Sequence, residues 1–323
     1  MTTLLNVFLL ISLNPNLSGS LPGEWIGGDG FSQSPALEGN IYVNPALADT
    51  QDCLAVNFKL FSDDYSKTAG GLSSVYFNIP LFSAFSVGAS FNTLYDCALQ
   101  AHSYYSGDNY AYNDYFNREG GLYRFGGYVA KTSEVLSLGM DVNLYNGKSD
   151  DIWWIVFDND FYDVYDTVTN YFSGYSVGFG FKLNIAQLSF GGYYCPYQEI
   201  KKQYENEEKE EFDLDSPLRF GLNYSFADNK KIIFSIDRRE GLIGLNYGFI
   251  RLGYSRMFSM GNGVEVSANR FLGGMAFNIS ELPLSVIFEN RRYSGDFADS
   301  EFIINVGILL SGKGRKNESE IKY

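Results

Sequence analysis

A chain of 323 residues with a formal net charge of −14, a single histidine and three cysteines offers no basic surface for nucleic acid and almost nothing for histidine-dependent catalysis. Its 25 Tyr and 27 Phe against only 8 Pro favour β structure. Mean hydropathy is −0.14 and no apolar run approaches the roughly 18 residues of a membrane-spanning helix, so a membrane could be crossed only by strands, which need just every second residue to be apolar.

In chain order, residues 1–20 carry a short apolar stretch, Leu4 to Leu13, followed by Ser18, Gly19 and Ser20. This is the outline of a secretory signal with cleavage near residue 20, although no Lys or Arg precedes Lys59 and Pro15 sits in the expected apolar core. Residues 21–52 alternate poorly and are rich in Gly, Pro and Asn, as a leader or a segment folded into a barrel as a plug would be. From residue 53 the pattern changes. Between Glu134 and Tyr145, Leu136, Leu138, Met140, Val142 and Leu144 share one face while Ser137, Gly139, Asp141 and Asn143 share the other. A period of two means strand.

The same alternation predicts about fourteen strands: 53–62, 72–80, 83–94, 120–131, 134–145, 170–183, 185–195, 217–227, 230–237, 241–247, 249–258, 267–280, 283–292 and 300–311. A polar tail, 312–323, follows. The gaps alternate in length. Leu81-Phe82, Thr132-Ser133, Asn184, Asp228-Asn229, Gly248 and Glu281-Leu282 are expected as tight turns on one side, and 95–119, 146–169 and 196–216 as long connections on the other, with short helices possible at 160–169 and 198–210. The expected fold is all-β: a transmembrane antiparallel up-and-down barrel over 53–311 with an N-terminal plug segment, short periplasmic turns, long outer loops and both termini periplasmic. A soluble β-sandwich also alternates, but it rarely needs so many strands and does not segregate its loops by length.

Few residues point to chemistry. His102, expected as an exposed loop residue, would have to serve any Ser-His-Asp or Cys-His device, and no nucleophile motif accompanies it. Asp150-Asp151, Asp158/Asp160 and Asp163/Asp166 lack the regular spacing and glycine of a calcium loop, and Cys53, Cys97 and Cys195 match no metal motif, so no metal, cofactor or enzyme activity is expected. At least one cysteine is unpaired; small buried or rim thiols are the expected state, and a Cys97 to Cys195 bridge between outer loops is the alternative. The acidic run from Glu205 to Asp215 reads as a solvated loop. Alternation turns Arg124, Asp141, Lys182, Arg219, Asp237, Arg251, Glu289 and Arg291 inward, either as a polar path or carboxylate clamp for a ligand or as mutually paired charges bracing the wall.

The segment Tyr42-Val43-Asn44-Pro45-Ala46-Leu47-Ala48 resembles the Asn-Pro-Ala motif before the first strand of the FadL-like long-chain fatty-acid transporter superfamily, which includes the PorV-type and PorQ-type barrels. Residues 75–96 and 121–147 are similar to its strand pairs, and Leu252-Gly253-Tyr254-Ser255 to a late-strand motif. The resemblance implies fourteen strands and a plug around Asn44, Pro45 and Ala46; the polar C-terminal tail departs from the family's terminal Phe. It also implies a bacterial outer-membrane protein that binds or passes hydrophobic, fatty-acid-like molecules, or a non-transporting barrel that docks surface or secreted proteins. Outer-membrane lipid, a hydrophobic ligand and the barrel-assembly machinery are the expected partners.

Overall fold

The computed structural model describes residues 44–47, 53–63, 69–82, 84–96, 99–106, 111–158, 162–204, 210–211, 218–227, 230–237, 240–261, 264–279, 282–294 and 300–311. The expected signal segment 1–20, most of 21–52 and the tail 312–323 lie outside them. Apart from one 3-10 turn, Pro45–Leu47, the described elements are strands. They are β1 (Cys53–Asp63), β2 (Ala69–Phe82), β3 (Phe85–Asp96), β4 (Leu99–Ser106), β5 (Ala111–Lys131), β6 (Leu136–Phe157), β7 (Val164–Ile185) and β8 (Leu188–Tyr204). A two-residue β9 (Glu210–Glu211) precedes β10 (Leu218–Ala227), β11 (Lys230–Asp237), β12 (Glu240–Tyr247), β13 (Ile250–Gly261), β14 (Val264–Ile279), β15 (Leu282–Ser294) and β16 (Ser300–Ser311).

All pairings are antiparallel, and leaving out β4 and β9 they run in sequence order with β8 joined to β10 and β16 joined to β1. Fourteen strands therefore each have a partner on both sides. Where that circuit runs, backbone N–H and C=O groups are paired on both sides of each strand, the condition for crossing hydrocarbon. All fourteen expected strands occur, and 230–237 and 300–311 match to the residue.

Three tight connections are displaced from their expected positions, the last by a single residue because Leu282 opens β15. The first falls at 83–84 rather than Leu81-Phe82, because β2 continues through Phe82, and the third at Ala186-Gln187 rather than Asn184. Ala186 takes φ 52° there, and Gly248 takes φ 63° in the turn between β12 and β13.

The long connections differ more. Most of 95–119, 146–169 and 196–216 is strand: β4 and the start of β5, the second half of β6 with the start of β7, and the end of β8. No helix forms in the described parts of 160–169 or 198–210, and His102 lies in β4 rather than in a loop. The sequence there mixes aromatic and acidic residues without alternation by polarity, and Asp150–Phe157 of β6 are half-buried on both parities, so neither side is set apart. Strand pairing extends the sheet all the same, with Arg118 opposite Asp151 and Trp154 opposite Tyr165. The thiol of Cys195 is buried and donates to Tyr197 O at 3.3 Å, so the Cys97 to Cys195 bridge does not form.

Wall height consequently varies around the ring. The 22 residues of β6 and of β7, at about 3.3 Å each and tilted by about 40°, rise roughly 55 Å, against roughly 30 Å of hydrocarbon. The 8 residues of β11 and of β12 rise only about 20 Å. β4 to β8 thus stand above the ring as an open sheet. β3 leaves β5 at Asp96–Gly121, β4 takes over at Leu99–Arg118, and β8 pairs β10 only between Leu188 and Tyr194.

Polarity is inverted relative to a water-soluble fold. Ser74, Asn78, Asn92, Asn143, Ser176 and Ser255 are buried, while Phe77, Leu138, Leu144, Phe179, Phe220 and Leu252 are exposed. Along Leu136 to Ser149 the change from exposed to buried follows the alternation nearly residue by residue. An apolar outer face of this extent is stable only against another apolar phase.

Candidate functional site

The inner face is where the sequence-predicted residues converge. Asn44 is fully buried against the wall, and its Nδ2 donates to Phe181 O on β7 at 3.1 Å and to Gly192 O on β8 at 3.2 Å. Its Oδ1 accepts from Ala46 N at 3.0 Å, the asparagine turn that folds the chain into the 3-10 turn Pro45–Leu47. Glycine makes this approach possible. A Cβ at Gly139 on β6 would lie 2.5 Å from Ala46 N, and one at Gly180 on β7 would collide with Asn44 Oδ1. Pro45 fits because it needs no backbone donor and its fixed φ suits the first residue of the turn.

Beside this anchor, Asp141 on β6 is buried and accepts from the Tyr193 hydroxyl of β8, with the two carboxylate oxygens at 3.2 and 3.4 Å. Gly178, on the strand between, leaves room for both groups, and Arg124 on β5 is an electrostatic neighbour of the carboxylate. A polar network continues along the same face. Tyr145 and Ser176 share a hydrogen bond of 3.0 Å, Asn143 donates to Ser176 at 3.3 Å, and the Tyr128 hydroxyl donates to Asn78 at 2.8 Å.

The opposite part of the ring is built differently. Arg270 on β14 meets Glu289 on β15 in a two-point ion pair, Nε to Oε1 at 2.7 Å and Nη2 to Oε2 at 3.3 Å, with 2% and 0% of the two side chains exposed. Ile233, Leu242, Leu272 and Ile287 form a buried apolar cluster on the five-strand stretch β11 to β15. Lys231, Asn246 and Arg251 face one another across β11, β12 and β13.

Of the eight charges assigned inward, Arg124, Asp141 and Glu289 are buried, and Lys182, Arg219 and Arg251 are half-buried on the inner parity of their strands. The backbone sets Asp237 opposite Arg219 and Arg291 opposite Arg270; their side chains lie outside what is described. The structure joins Arg124 with Asp141, but it gives Glu289 a partner, Arg270, that the sequence reading passed over. Leu272 shares the parity of Arg270, so polarity on that strand does not mark the inner face. Tyr193 and Tyr128 were also passed over, because tyrosine reads as an outer-rim residue wherever charges alone are counted.

An apolar groove of ≈ 470 Å³ lies on the outer parity of the wall, lined by Phe181, Phe190, Phe220, Phe234 and Ile236 over Gly221. Asn44 holds the Phe181 carbonyl from the inside, so this groove and the buried turn share one strand of wall.

No protein-family profile and no curated protein matches the chain by sequence. Solved structures do match in shape. The toluene transporter TbuX of Ralstonia pickettii aligns over 87% of this chain and 92% of its own, with a TM-score of 0.52 and 10% identity. The toluene transporter TodX of P. putida aligns over 83% and 91%, with a TM-score of 0.51 and 10% identity. The likeness is one of fold. The chain has the fold of an outer-membrane β-barrel.

Proposed function

We propose that this protein is a bacterial outer-membrane barrel that binds or passes hydrophobic small molecules, with the Asn44–Leu47 turn as part of a plug on the inner wall. The observation that carries the reading is the inverted polarity: apolar side chains clothe the outside of a ring whose inside is lined by Asn, Ser and buried charges. The outer groove beside Phe181 gives an apolar molecule a place at the wall, and the fold likeness to two toluene transporters supports the substrate class. Asn44 supplies the control, since its two bonds to strand carbonyls tie the turn to β7 and β8. In this reading residues 21–52 contribute the plug, the short turns and both termini are periplasmic, and the catalytic inventory is empty.

Native mass spectrometry of detergent-purified protein tests the reading, with fatty acid, aromatic hydrocarbon or another apolar molecule expected to co-purify. Bare protein across several preparations would count against passage. Asn44→Ala is expected to raise exchange of apolar ligand and protease access to the turn without loss of the folded barrel. A second reading, a docking barrel for surface or secreted proteins, is favoured by the open sheet of β4 to β8 standing above the ring.

A further inference from the structure

The open sheet ends on β4, Leu99–Ser106, which among the described residues pairs with β5 alone. Its neighbour in the ring, β2, pairs β3 as far as Ser74–Asn92, with one further bond from Thr93 Oγ1 to Leu72 O at 2.8 Å, and no described strand pairs with β4 on the side away from β5. A row of N–H and C=O groups facing outward is a template for another strand, and folded proteins guard such rows with Lys, Pro, bulges or a covering element. β4 reads Leu-Gln-Ala-His-Ser-Tyr-Tyr-Ser: eight residues with no Lys, Arg, Asp, Glu or Pro.

The surroundings select a charge. Tyr104 and Tyr105 are 59% and 43% exposed. The Tyr104 hydroxyl donates to Asp158 Oδ2 at 3.0 Å, Asn113 Nδ2 to Asp158 Oδ1 at 3.4 Å, and Asp114 lies opposite Ser103. Across the extensions of β5 to β8, Asp114, Glu119, Asp150, Asp151, Asp158, Asp163, Asp166 and Glu199 outnumber Arg118, Lys148, Lys201 and Lys202. Two copies of so acidic a surface repel each other, whereas Lys and Arg side chains meet both carboxylates and tyrosine faces.

We infer that β4 is a docking edge for a basic, extended segment of a partner protein, which adds to the sheet as a strand and sets its Lys or Arg side chains over Tyr104, Tyr105, Asp114 and Asp158. This deepens the docking reading and is independent of ligand passage. Edge binding can fail while apolar molecules still co-purify, and the reverse.

The test uses the full-length protein in lipid nanodiscs and three labelled peptides: one alternating Lys or Arg with Val and Tyr, a twin with Glu in place of the basic residues, and a basic twin N-methylated along one edge. By fluorescence anisotropy the basic peptide is expected to bind about tenfold or more tightly than either twin, with hydrogen-exchange protection appearing at 99–106. Equal binding of all three, no binding, or protection elsewhere overturns the assignment. Gln100→Lys with Tyr104→Lys places guard charges on the edge, and with the barrel still heat-modifiable on gels it should weaken the basic peptide about tenfold; unchanged affinity would overturn the proposal. Concentration-dependent dimers that protect β4 would assign the edge to a second copy and equally overturn it.

Discussion

The ion pair of Arg270 and Glu289 shows how single residues behave in this wall. Both ends are buried, so the attraction offsets a desolvation cost, and removing one end leaves a charge without its counterpart. Glu289→Gln should lower stability by about 3–5 kcal/mol, while Arg270→Met with Glu289→Leu should lie close to the parent or above it. Urea unfolding in lipid vesicles measures both; equal losses in the single and the double variant would show that the pair is not the unit. Tyr193→Phe removes the hydroxyl that reaches Asp141 and should cost about 1–3 kcal/mol, read in the same assay. The alternation placed Glu289 and Asp141 inward. It could not name their partners, because a diagonal neighbour depends on register between strands far apart in sequence.

At the scale of elements, the Ala186-Gln187 turn holds an L-residue in the left-handed region. Ala186→Gly should therefore stabilise the protein by about 1 kcal/mol, measured as a shift of the unfolding midpoint, provided the turn is rigid in the parent. The extensions of β6 and β7 carry their own pH dependence. The Lys148 ammonium, bonded to Asp150 at 2.8 Å, and then the Thr169 hydroxyl hold the Asp150 carboxyl below its ordinary value. A lowered folded pKa means a contribution fully present above the ordinary carboxylate pKa of about 4 and lost as the pH falls through the lowered one. Hydrogen exchange at 146–172 should rise in that acid window, and Thr169→Val should move the rise to higher pH. These extensions were not legible as strands, since their residues do not alternate by polarity.

For the whole molecule, the distinction between faces is the feature with the largest consequence. Met140 lies in the middle of the exposed parity of β6, and Met140→Arg should cost about 2–4 kcal/mol if that face meets acyl chains at depth. Thr167→Arg, at an exposed position in the extension of β7, should be close to neutral in the same vesicle unfolding assay. Equal effects at the two positions would mean that no apolar phase surrounds the ring.

Residues 53–311 by themselves determined the fourteen strands of the ring and the facing of most of the wall, though not β4 or β9, because a period of two written into each of those strands is local and survives without knowledge of neighbours. Tight turns were visible for the same reason, to within a residue or two. Only the tertiary structure decided which residues meet. It brought Asn44 against carbonyls of β7 and β8, joined Arg270 to Glu289 and Tyr193 to Asp141, and raised β4 to β8 into an open sheet whose edge strand has one neighbour among the described residues. Those contacts depend on register and on the order in which strands close the ring, and neither is a property of any single segment.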